Sequence, residues 1–180
     1  MPAILRTLQK LISLFNENEI DDMIIGGYAL PFYGRIRTTV DLDLAVAVKT
    51  QPQLDRLLSL LKAADFEPTI SSPRNPLILA VDRKEKIEFE LWTKPDGIVF
   101  DEETLKRRRK ADLSQDISAW LVSPEDFIVT KLARADRGAT DEQDVKSVLV
   151  RQAGKLDEAY LEKRAQDAGV LTILRAIQNM

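Results

Sequence analysis

Histidine and cysteine are both absent from the 180 residues of this chain. Without cysteine there is no disulfide framework and no thiolate-bound metal. Without histidine there is no imidazole base for a Ser-His or Cys-His nucleophile, and there is no histidine-bound zinc site. A metal bound by this chain must therefore be held by oxygen atoms, which favours Mg²⁺, Mn²⁺ or Ca²⁺.

Long apolar runs and a strong excess of one charge are also missing. No apolar segment approaches the roughly 20 residues of a membrane span, and Arg6, Lys10 and Asn16 interrupt any signal-peptide pattern near the N-terminus. The 26 basic and 29 acidic residues give a formal net charge of −3, which argues against a general polyanion-binding protein. We therefore expect a cytoplasmic protein that does not bind a membrane.

Hydrophobic periodicity and capping signals predict alternating helices and strands. Three predicted helices cover 4–15, 28–34 and 101–110. Three more have their N-caps at Thr50, Ser123 and Thr140, and a helical pattern continues over 157–179. The predicted strands cover 21–25, 40–48, 66–70, 77–82, 86–92 and 117–122. This order favours an α+β, or mixed α/β, fold with a short mixed sheet flanked by helices. We expect a core over 1–122 and a helical C-terminal part over 123–180 packed on it.

The stretch TVDLDLAV at 39–46 places two aspartates in a predicted strand. Asp is depleted in strands, and alternate side chains point to the same face, so Asp41 and Asp43 point together while Leu42 and Leu44 point the other way. Two like charges on one face repel each other unless a cation lies between them. A divalent metal would give the arrangement a purpose, as in two-metal phosphoryl transfer. Two hydrated carboxylates at the end of a sheet are the alternative.

Two other short stretches fit the same chemistry. Gly26 and Gly27 stand between a predicted strand and a predicted helix, where the backbone can approach a phosphate and helix N–H groups can bind it; a plain turn is the alternative. In KIEFELW, Glu88 and Glu90 alternate on one face of a predicted strand. If that strand lies beside Asp43, one of the two can supply a third carboxylate; otherwise both lie on an exposed edge.

Lys131 stands out because it lies four residues after Phe127 and three after Ile128, on or beside the apolar side of a predicted helix. An inward-facing lysine needs an acid or a phosphate as its partner. Asp144, at the edge of the next helix's inner face, is one candidate for a structural pair with Lys131. The basic run KRRRK at 106–110 is consistent with nucleic-acid contact or with stabilisation of its helix C-terminus.

Taken together, GGYALPFYGRIRTTVDLDL resembles the motif of the DNA polymerase beta-like nucleotidyltransferase superfamily, and most closely its small prokaryotic members, including abortive-infection-type toxin nucleotidyltransferases. A second block, VSPEDFIVTKLARADRGATDEQDV, resembles the same proteins. The matching residues are Gly26, Gly27, Ala29, Gly34, Arg37, Thr39, Asp41, Asp43, Lys131, Asp141 and Asp144. The chain departs from the pattern in offering Glu as the third carboxylate and in the extra GAT before the last acids.

The resemblance implies a minimal nucleotidyltransferase fold and an enzyme that moves a nucleoside monophosphate from an NTP, such as ATP, to a hydroxyl with Mg²⁺ or Mn²⁺. Asp41, Asp43 and Glu88 would hold the metal ions, and Glu90 is the alternative to Glu88. The residues expected to bind the nucleotide are Gly26, Gly27, Arg37, Thr39, Lys131 and Asp144. The acceptor stays open between tRNA, a partner protein and a small molecule. The alternative function is a nucleotide-binding regulatory or antitoxin-like module of the same fold without turnover.

Overall fold

The computed structural model describes residues 1–70 and 77–179. Within these residues the chain forms eight helices and one seven-stranded sheet. In chain order the elements are α1 Ala3–Glu17, β1 Asp22–Ile24, α2 Gly26–Tyr33, β2 Leu42–Val46, α3 Gln51–Ala63, β3 Phe66–Ile70, β4 Leu77–Asp82, β5 Glu88–Trp92, α4 Glu102–Arg107, β6 Arg109–Ser114, β7 Ile117–Leu121, α5 Pro124–Ala133, α6 Ala139–Arg151, α7 Glu158–Asp167 and α8 Leu171–Gln178. The predicted mixed α/β class is confirmed.

The strands lie in the order β3-β4-β5-β2-β1-β7-β6. Strand β2 pairs antiparallel with β1 and parallel with β5, so the sheet is mixed, as predicted. Because β1 runs against β2, the end of β1 lies beside the start of β2, and β5 begins at the same edge of the sheet. The topology therefore brings Gly26, Asp43 and Glu90 together at the same end of these interior strands.

The two faces of strands β3 to β5 differ sharply. One face is buried and includes Phe66, Ile78 and Phe89; α3 packs on β3, and Lys10 of α1 lies 4.1 Å from the centre of the Phe66 ring. On the other face, Leu79 of β4 is 42% exposed. Since β4 is an interior strand, this exposure means that no helix of the described chain covers Leu79. An open sheet face thus lies next to β2.

Helix starts follow the capping signals with one exception. The side chains of Thr50 and Ser123 accept hydrogen bonds from the backbone N–H groups of Gln53 and Asp126, as the sequence predicts. The predicted N-cap at Thr140 is wrong, because Gly138, two residues earlier, occupies the N-cap position of α6. Asp141 reaches back and accepts the Gly138 N–H at 3.2 Å, so the acid three residues later supplies the cap.

Several other element boundaries also differ from the prediction: α2 begins at Gly26, β5 begins only at Glu88, and the helical pattern over 157–179 forms two helices, α7 and α8. The helix predicted over 101–110 ends at Arg107, and Arg109–Ser114 instead forms β6, an edge strand whose charged, exposed residues conceal its pattern. The strand predicted over 40–48 begins only at Leu42, where pairing with Phe89 starts. Asp41 therefore precedes the strand, while Asp43 lies within it.

Helices α5 to α8 follow β7 and pack together and against α2. Their apolar residues, including Phe127, Val148 and Leu174, join the same continuous core as the strands. The division into parts 1–122 and 123–180 stays a prediction, and residues 71–76 and 180, which those ranges include, lie outside the described residues. Within the described chain, none of the helices combines the length and apolar character needed to cross a membrane.

Candidate active site

Asp43 and Glu90 are direct neighbours across the parallel strands β2 and β5. Paired positions in neighbouring strands place their side chains on the same face, so the two carboxylates project together. The indole N–H of Trp92 donates a hydrogen bond of 3.0 Å to Glu90 Oε2 and orients that carboxylate. Asp41, just before β2, lines the same cleft. The sequence left open whether the strand with Glu88 and Glu90 lies beside that of Asp43 or at an exposed edge; in the structure β5 lies beside β2.

These acids line a cleft of about 400 Å³ between the sheet edge and the C-terminal half of α5. Its lining residues are Ile25, Gly26, Asp41, Asp43, Glu90, Trp92, Pro95, Asp96, Thr130, Lys131, Arg134 and Asp136. One wall is therefore a strand wall with carboxylates, and the facing wall is a helix wall with two cations. This combination suits a ligand that carries both phosphates and metal ions.

Gly26 and Gly27 make room for the side chains that face them. Gly26 has φ +64°, a conformation that favours glycine, and a Cβ at this position would overlap the Asp43 carboxylate. A Cβ at Gly27 would lie 2.6 Å from Thr39 Oγ1, so Thr39 packs directly against the start of α2. The glycine pair thus lets the strand–helix turn close onto Asp43 and Thr39.

Asp43 has surroundings that oppose its ionisation. Burial, together with the nearby charges of Glu90 and Asp41, raises the pKa of Asp43 to about 6, against a smaller lowering effect of Lys131 and Arg134. A cation placed among these carboxylates would relieve both effects. As they stand, however, no three acidic side chains of the described residues are close enough together to hold a metal ion.

Glu88 lies apart from this cleft. It shares a strand face with Glu90 but is exposed, and it lines the open groove on β3 to β5 together with Leu79 and Val81. Asp41 and Glu90 line both the cleft and the groove, so the two depressions meet at these two acids. The geometry therefore favours Glu90 over Glu88 as the carboxylate next to Asp43.

Lys131 is buried and held by two acids of α6. Its Nζ lies 2.9 Å from Asp141 Oδ1 and 3.5 Å from Asp144 Oδ2, and its side chain is 6% exposed. The pKa of Asp141 is lowered: burial acts to raise it, but hydrogen bonds from Lys131 and the Gly138 N–H outweigh burial. The predicted acid partner of Lys131 is thus present, with Asp141 closer than Asp144.

Arg37 is directed at Asp144 and not at the Asp41 face. Its guanidinium Nε and Nη2 lie 3.1–3.2 Å from the Asp144 carboxylate, and Arg35 Nε lies 2.8 Å from the same group. Asp144 has 0% exposure. Three cations therefore surround one buried carboxylate, which ties the 35–37 segment to α5 and α6. Arg37 and Asp144 are absent from the cleft lining, whereas Lys131 belongs to it.

Sequence reasoning missed seven residues of the cleft: Ile25, Trp92, Pro95, Asp96, Thr130, Arg134 and Asp136. Arg134 lies three residues after Lys131, and positions i and i+3 of a helix share a side, so its presence was within reach of the sequence. Trp92 lies two residues after Glu90 and by alternation faces the same way. Asp96 and Asp136 lie in loops, where no periodicity predicts the direction of a side chain.

The family of the chain follows from a sequence comparison. Residues 4–169 match the family described as nucleotidyl transferase of unknown function (DUF2204). The chain belongs to this family of nucleotidyltransferases. The enzyme class that the resemblance of the sequence motifs implies is thereby confirmed. Comparison with curated proteins found no match in sequence.

Solved structures with the same fold include three informative ones. An antigenic nucleotidyltransferase-like protein from Paracoccidioides brasiliensis has a TM-score of 0.54 at 21% identity, over 94% of this chain and 91% of that one. The lincosamide antibiotic adenylyltransferase LnuA, bound to lincomycin, has a TM-score of 0.54 at 14% identity, over 79% of this chain and 94% of that one. ANT(2")-Ia in complex with adenylyl-2"-tobramycin has a TM-score of 0.60 at 13% identity, over 91% and 95%. At these identities the likeness concerns the fold.

Proposed function

We propose that this nucleotidyltransferase moves a nucleoside monophosphate from an NTP to a hydroxyl group of its acceptor, with divalent metal ions held by Asp41, Asp43 and Glu90. The observation that carries the proposal is the cross-strand pair of Asp43 and Glu90 facing Lys131 across one cleft. A strand wall of carboxylates opposite a buried lysine matches the needs of a metal-bound triphosphate. We assign Glu90, in place of the Glu88 expected from the sequence, as the third carboxylate, because only Glu90 of the two lines this cleft.

The donor set fits Mg²⁺ or Mn²⁺. All candidate ligands are carboxylate oxygens, which hard divalent cations prefer. The raised pKa of Asp43, which has burial as its largest cause and the neighbouring acids as further causes, means that a cation there would gain from neutralising the cluster. When bound, such ions polarise the α-phosphate and make the acceptor hydroxyl easier to deprotonate.

The chain's own residues would act as follows. The acceptor oxygen forms a bond to the α-phosphorus, the bond from that phosphorus to the bridging oxygen of the β-phosphate breaks, and pyrophosphate leaves with the electron pair. Glu90, which is held by Trp92, takes the proton of the acceptor hydroxyl. Lys131 offsets phosphate charge, and the N–H groups at the start of α2, next to Gly26 and Gly27, offer phosphate oxygens further hydrogen bonds.

Arg37, Thr39 and Asp144 have supporting roles in this proposal. Asp144 holds Lys131 and Arg37 in place through its buried ion pairs. Thr39 packs on Gly27 and shapes the turn. Their contribution to nucleotide binding is therefore indirect, through the position of Lys131 and of α2.

The open groove on β3 to β5 is the place we propose for the acceptor. It has a volume of about 620 Å³ and meets the cleft at Asp41 and Glu90. An in-line displacement needs the acceptor and the leaving pyrophosphate on opposite sides of the α-phosphorus. A nucleotide in the cleft and an acceptor in the groove would satisfy this need. The acceptor itself can be a small molecule, a tRNA or a protein.

The test is label transfer from each of the four α-³²P-labelled NTPs, with Mg²⁺ or Mn²⁺, to a cell lysate separated into small molecules, RNA and protein. We expect one labelled product and release of pyrophosphate with wild type, none with Asp43→Asn, and normal labelling with the control Asp116→Asn, whose side chain is exposed in the turn between β6 and β7. Nucleotide binding without labelling or pyrophosphate release would favour the regulatory module. Full activity in EDTA would refute the metal requirement.

A further inference from the structure

The candidate cleft carries more negative than positive charge. Its two cations are Lys131 and Arg134. Its five acids are Asp41, Asp43, Glu90, Asp96 and Asp136. An incoming triphosphate is itself strongly negative, so metal ions alone leave its β- and γ-phosphates close to uncompensated acids. The nucleotide therefore needs a cation that can turn towards it.

Lys131 is poorly suited to turn. Its side chain is 6% exposed, and its ammonium already contacts Asp141 and Asp144. Moving it away would leave the buried Asp144 with one partner fewer. Lys131 therefore contributes a fixed charge at the back of the cleft.

Arg134 is held very differently. Its side chain is 42% exposed, and its partner Asp136 is 74% exposed. The guanidinium Nε and Nη2 lie 3.0 and 2.9 Å from the two carboxylate oxygens, so the pair is bidentate. Exposed ion pairs contribute little net stability because water solvates both partners well. Exchanging Asp136 for another anion would thus cost the fold little.

The position of Arg134 suits contact with the outer phosphates. It occupies the C-cap of α5, one turn beyond Lys131 on the same side of the helix. A helix C-terminus carries partial negative charge, so this end of α5 would repel a phosphate unless a cation covers it. The fork of guanidinium donors matches phosphate as well as it matches a carboxylate.

We propose that Arg134 is a phosphate clamp: in the free protein it is paired with Asp136, and on nucleotide binding it leaves Asp136 and binds the β- and γ-phosphates, the part that becomes pyrophosphate. This inference rests on the proposed function, because it assumes that an NTP enters the cleft. Asp136 then acts as an internal competitor of the phosphates. Asp136 keeps Arg134 close to the cleft, and it disfavours the binding of anions that are too short to displace Asp136 from Arg134.

The test is calorimetric titration with Mg²⁺-pyrophosphate, each Mg²⁺-NTP and the corresponding NMP. For Arg134→Gln we expect affinity for pyrophosphate and for the preferred NTP to fall by about tenfold or more, with NMP affinity within about twofold of wild type. For Asp136→Asn we expect pyrophosphate and NTP to bind about two- to fivefold more tightly, because the competitor has lost its charge.

The matched controls are Arg175→Gln and Glu162→Gln. They break an exposed Arg–acid pair of 3.3 Å that is remote from the cleft lining, and both should bind like wild type. Thermal melts verify that each variant is folded. If Arg134→Gln binds NTP as tightly as wild type does, the clamp is overturned while the proposed function stands. Failure of wild type to bind any NTP would overturn the proposed function, and the clamp with it. An equal loss for NMP and NTP would place Arg134 elsewhere than on the outer phosphates.

Discussion

Two buried or half-buried aspartates of this molecule have opposite surroundings. Asp144 is fully buried and lies within 2.8–3.5 Å of cationic groups of Arg35, Arg37 and Lys131. Asp43 instead has the carboxylates of Asp41 and Glu90 among its nearest charges. The charge of Asp144 is neutralised by three cations, whereas Asp43 lies next to other negative charges.

This contrast separates structural from functional acids. A buried carboxylate surrounded by cations stabilises the arrangement of the elements that supply them, here the 35–37 segment, α5 and α6. A carboxylate kept among other carboxylates lowers stability unless a cation binds. We therefore propose that Asp144 stabilises the fold without ligand and that Asp43 is needed in the ligand-bound protein.

The largest expected effect is on turnover in Asp43→Asn. We expect the rate to fall by about 10³-fold or more, because the variant removes a charged ligand from the proposed metal site. The free energy of unfolding of the metal-free protein should stay equal or rise, since one of three like charges disappears. Single-turnover assays and urea unfolding measure the two quantities. A marked loss of stability in the metal-free variant would instead identify Asp43 as structural.

The second effect is on stability in Asp144→Asn. The variant leaves a buried Lys131 and two arginines without their shared counter-charge, so the free energy of unfolding should fall by about 3–5 kcal/mol. Urea unfolding without metal or nucleotide measures it. Lys131→Met should cost less, because Asp144 retains Arg35 and Arg37.

The control for this pair is Asp167→Asn, which breaks an exposed ion pair with Lys163 on α7. Its unfolding curve should overlay that of wild type, as expected for exposed pairs. If Asp144→Asn also unfolds like wild type, the three cations do not depend on it, and the structural side of the comparison fails.

The sequence predicted more about the surroundings of Asp43 than about those of Asp144. Alternation along 39–46 and 86–92 was enough to place Asp41 with Asp43, and Glu88 with Glu90, on one face of a strand, because side chains in a strand alternate with a period of two. That the two strands are neighbours was left open by the sequence. The partners of Asp144 were harder to find. The pairing with Lys131 was one alternative that the sequence left open, beside a phosphate partner for Lys131. Arg35 and Arg37 lie in an irregular segment, where the direction of a side chain follows from tertiary contacts and has no local signal.

The choice between Glu88 and Glu90 shows another limit. Both residues share a strand face and an apolar setting, so the sequence could not separate them, and the resemblance favoured Glu88. The register favours Glu90, which pairs with Asp43, whereas Glu88 lies two residues earlier on β5, ahead of the first pair of β2 with β5, and lines the open groove. Register depends on the partner strand, which the sequence of β5 alone does not contain.

The third prediction therefore compares Glu90→Gln with Glu88→Gln. Turnover should fall by about 10²-fold in Glu90→Gln, as is usual for loss of a positioned general base, and should stay within about threefold of wild type in Glu88→Gln. The acceptor KM of Glu88→Gln is the informative second number, because Glu88 lines the proposed acceptor groove. The reverse ranking would restore Glu88 as the third carboxylate. Equal and near-normal rates would remove β5 from the chemistry.

The smallest expected effect is the pH dependence of stability that Asp43 contributes. Burial, reinforced by Glu90 and Asp41, raises the pKa of Asp43 from 3.8 to about 6 in the folded protein. The folded state then holds this proton more tightly than the unfolded state does. The resulting stabilisation is complete below pH 3.8 and is lost as the pH rises to about 6.

Because Asp22 also has a raised pKa, about 7, mainly through burial, the wild-type curve alone cannot isolate Asp43. The informative quantity is the free energy of unfolding of Asp43→Asn minus that of wild type. Asn carries no charge, so this difference should rise by about 1–3 kcal/mol between pH 4 and pH 7 and then level off. Saturating Mg²⁺-pyrophosphate should abolish this rise in the difference, since bound cations favour the ionised carboxylate of the wild type. A difference that is flat from pH 4 to pH 7 would mean that Asp43 ionises normally, and that the crowding of carboxylates at this edge of the sheet is relieved without a ligand.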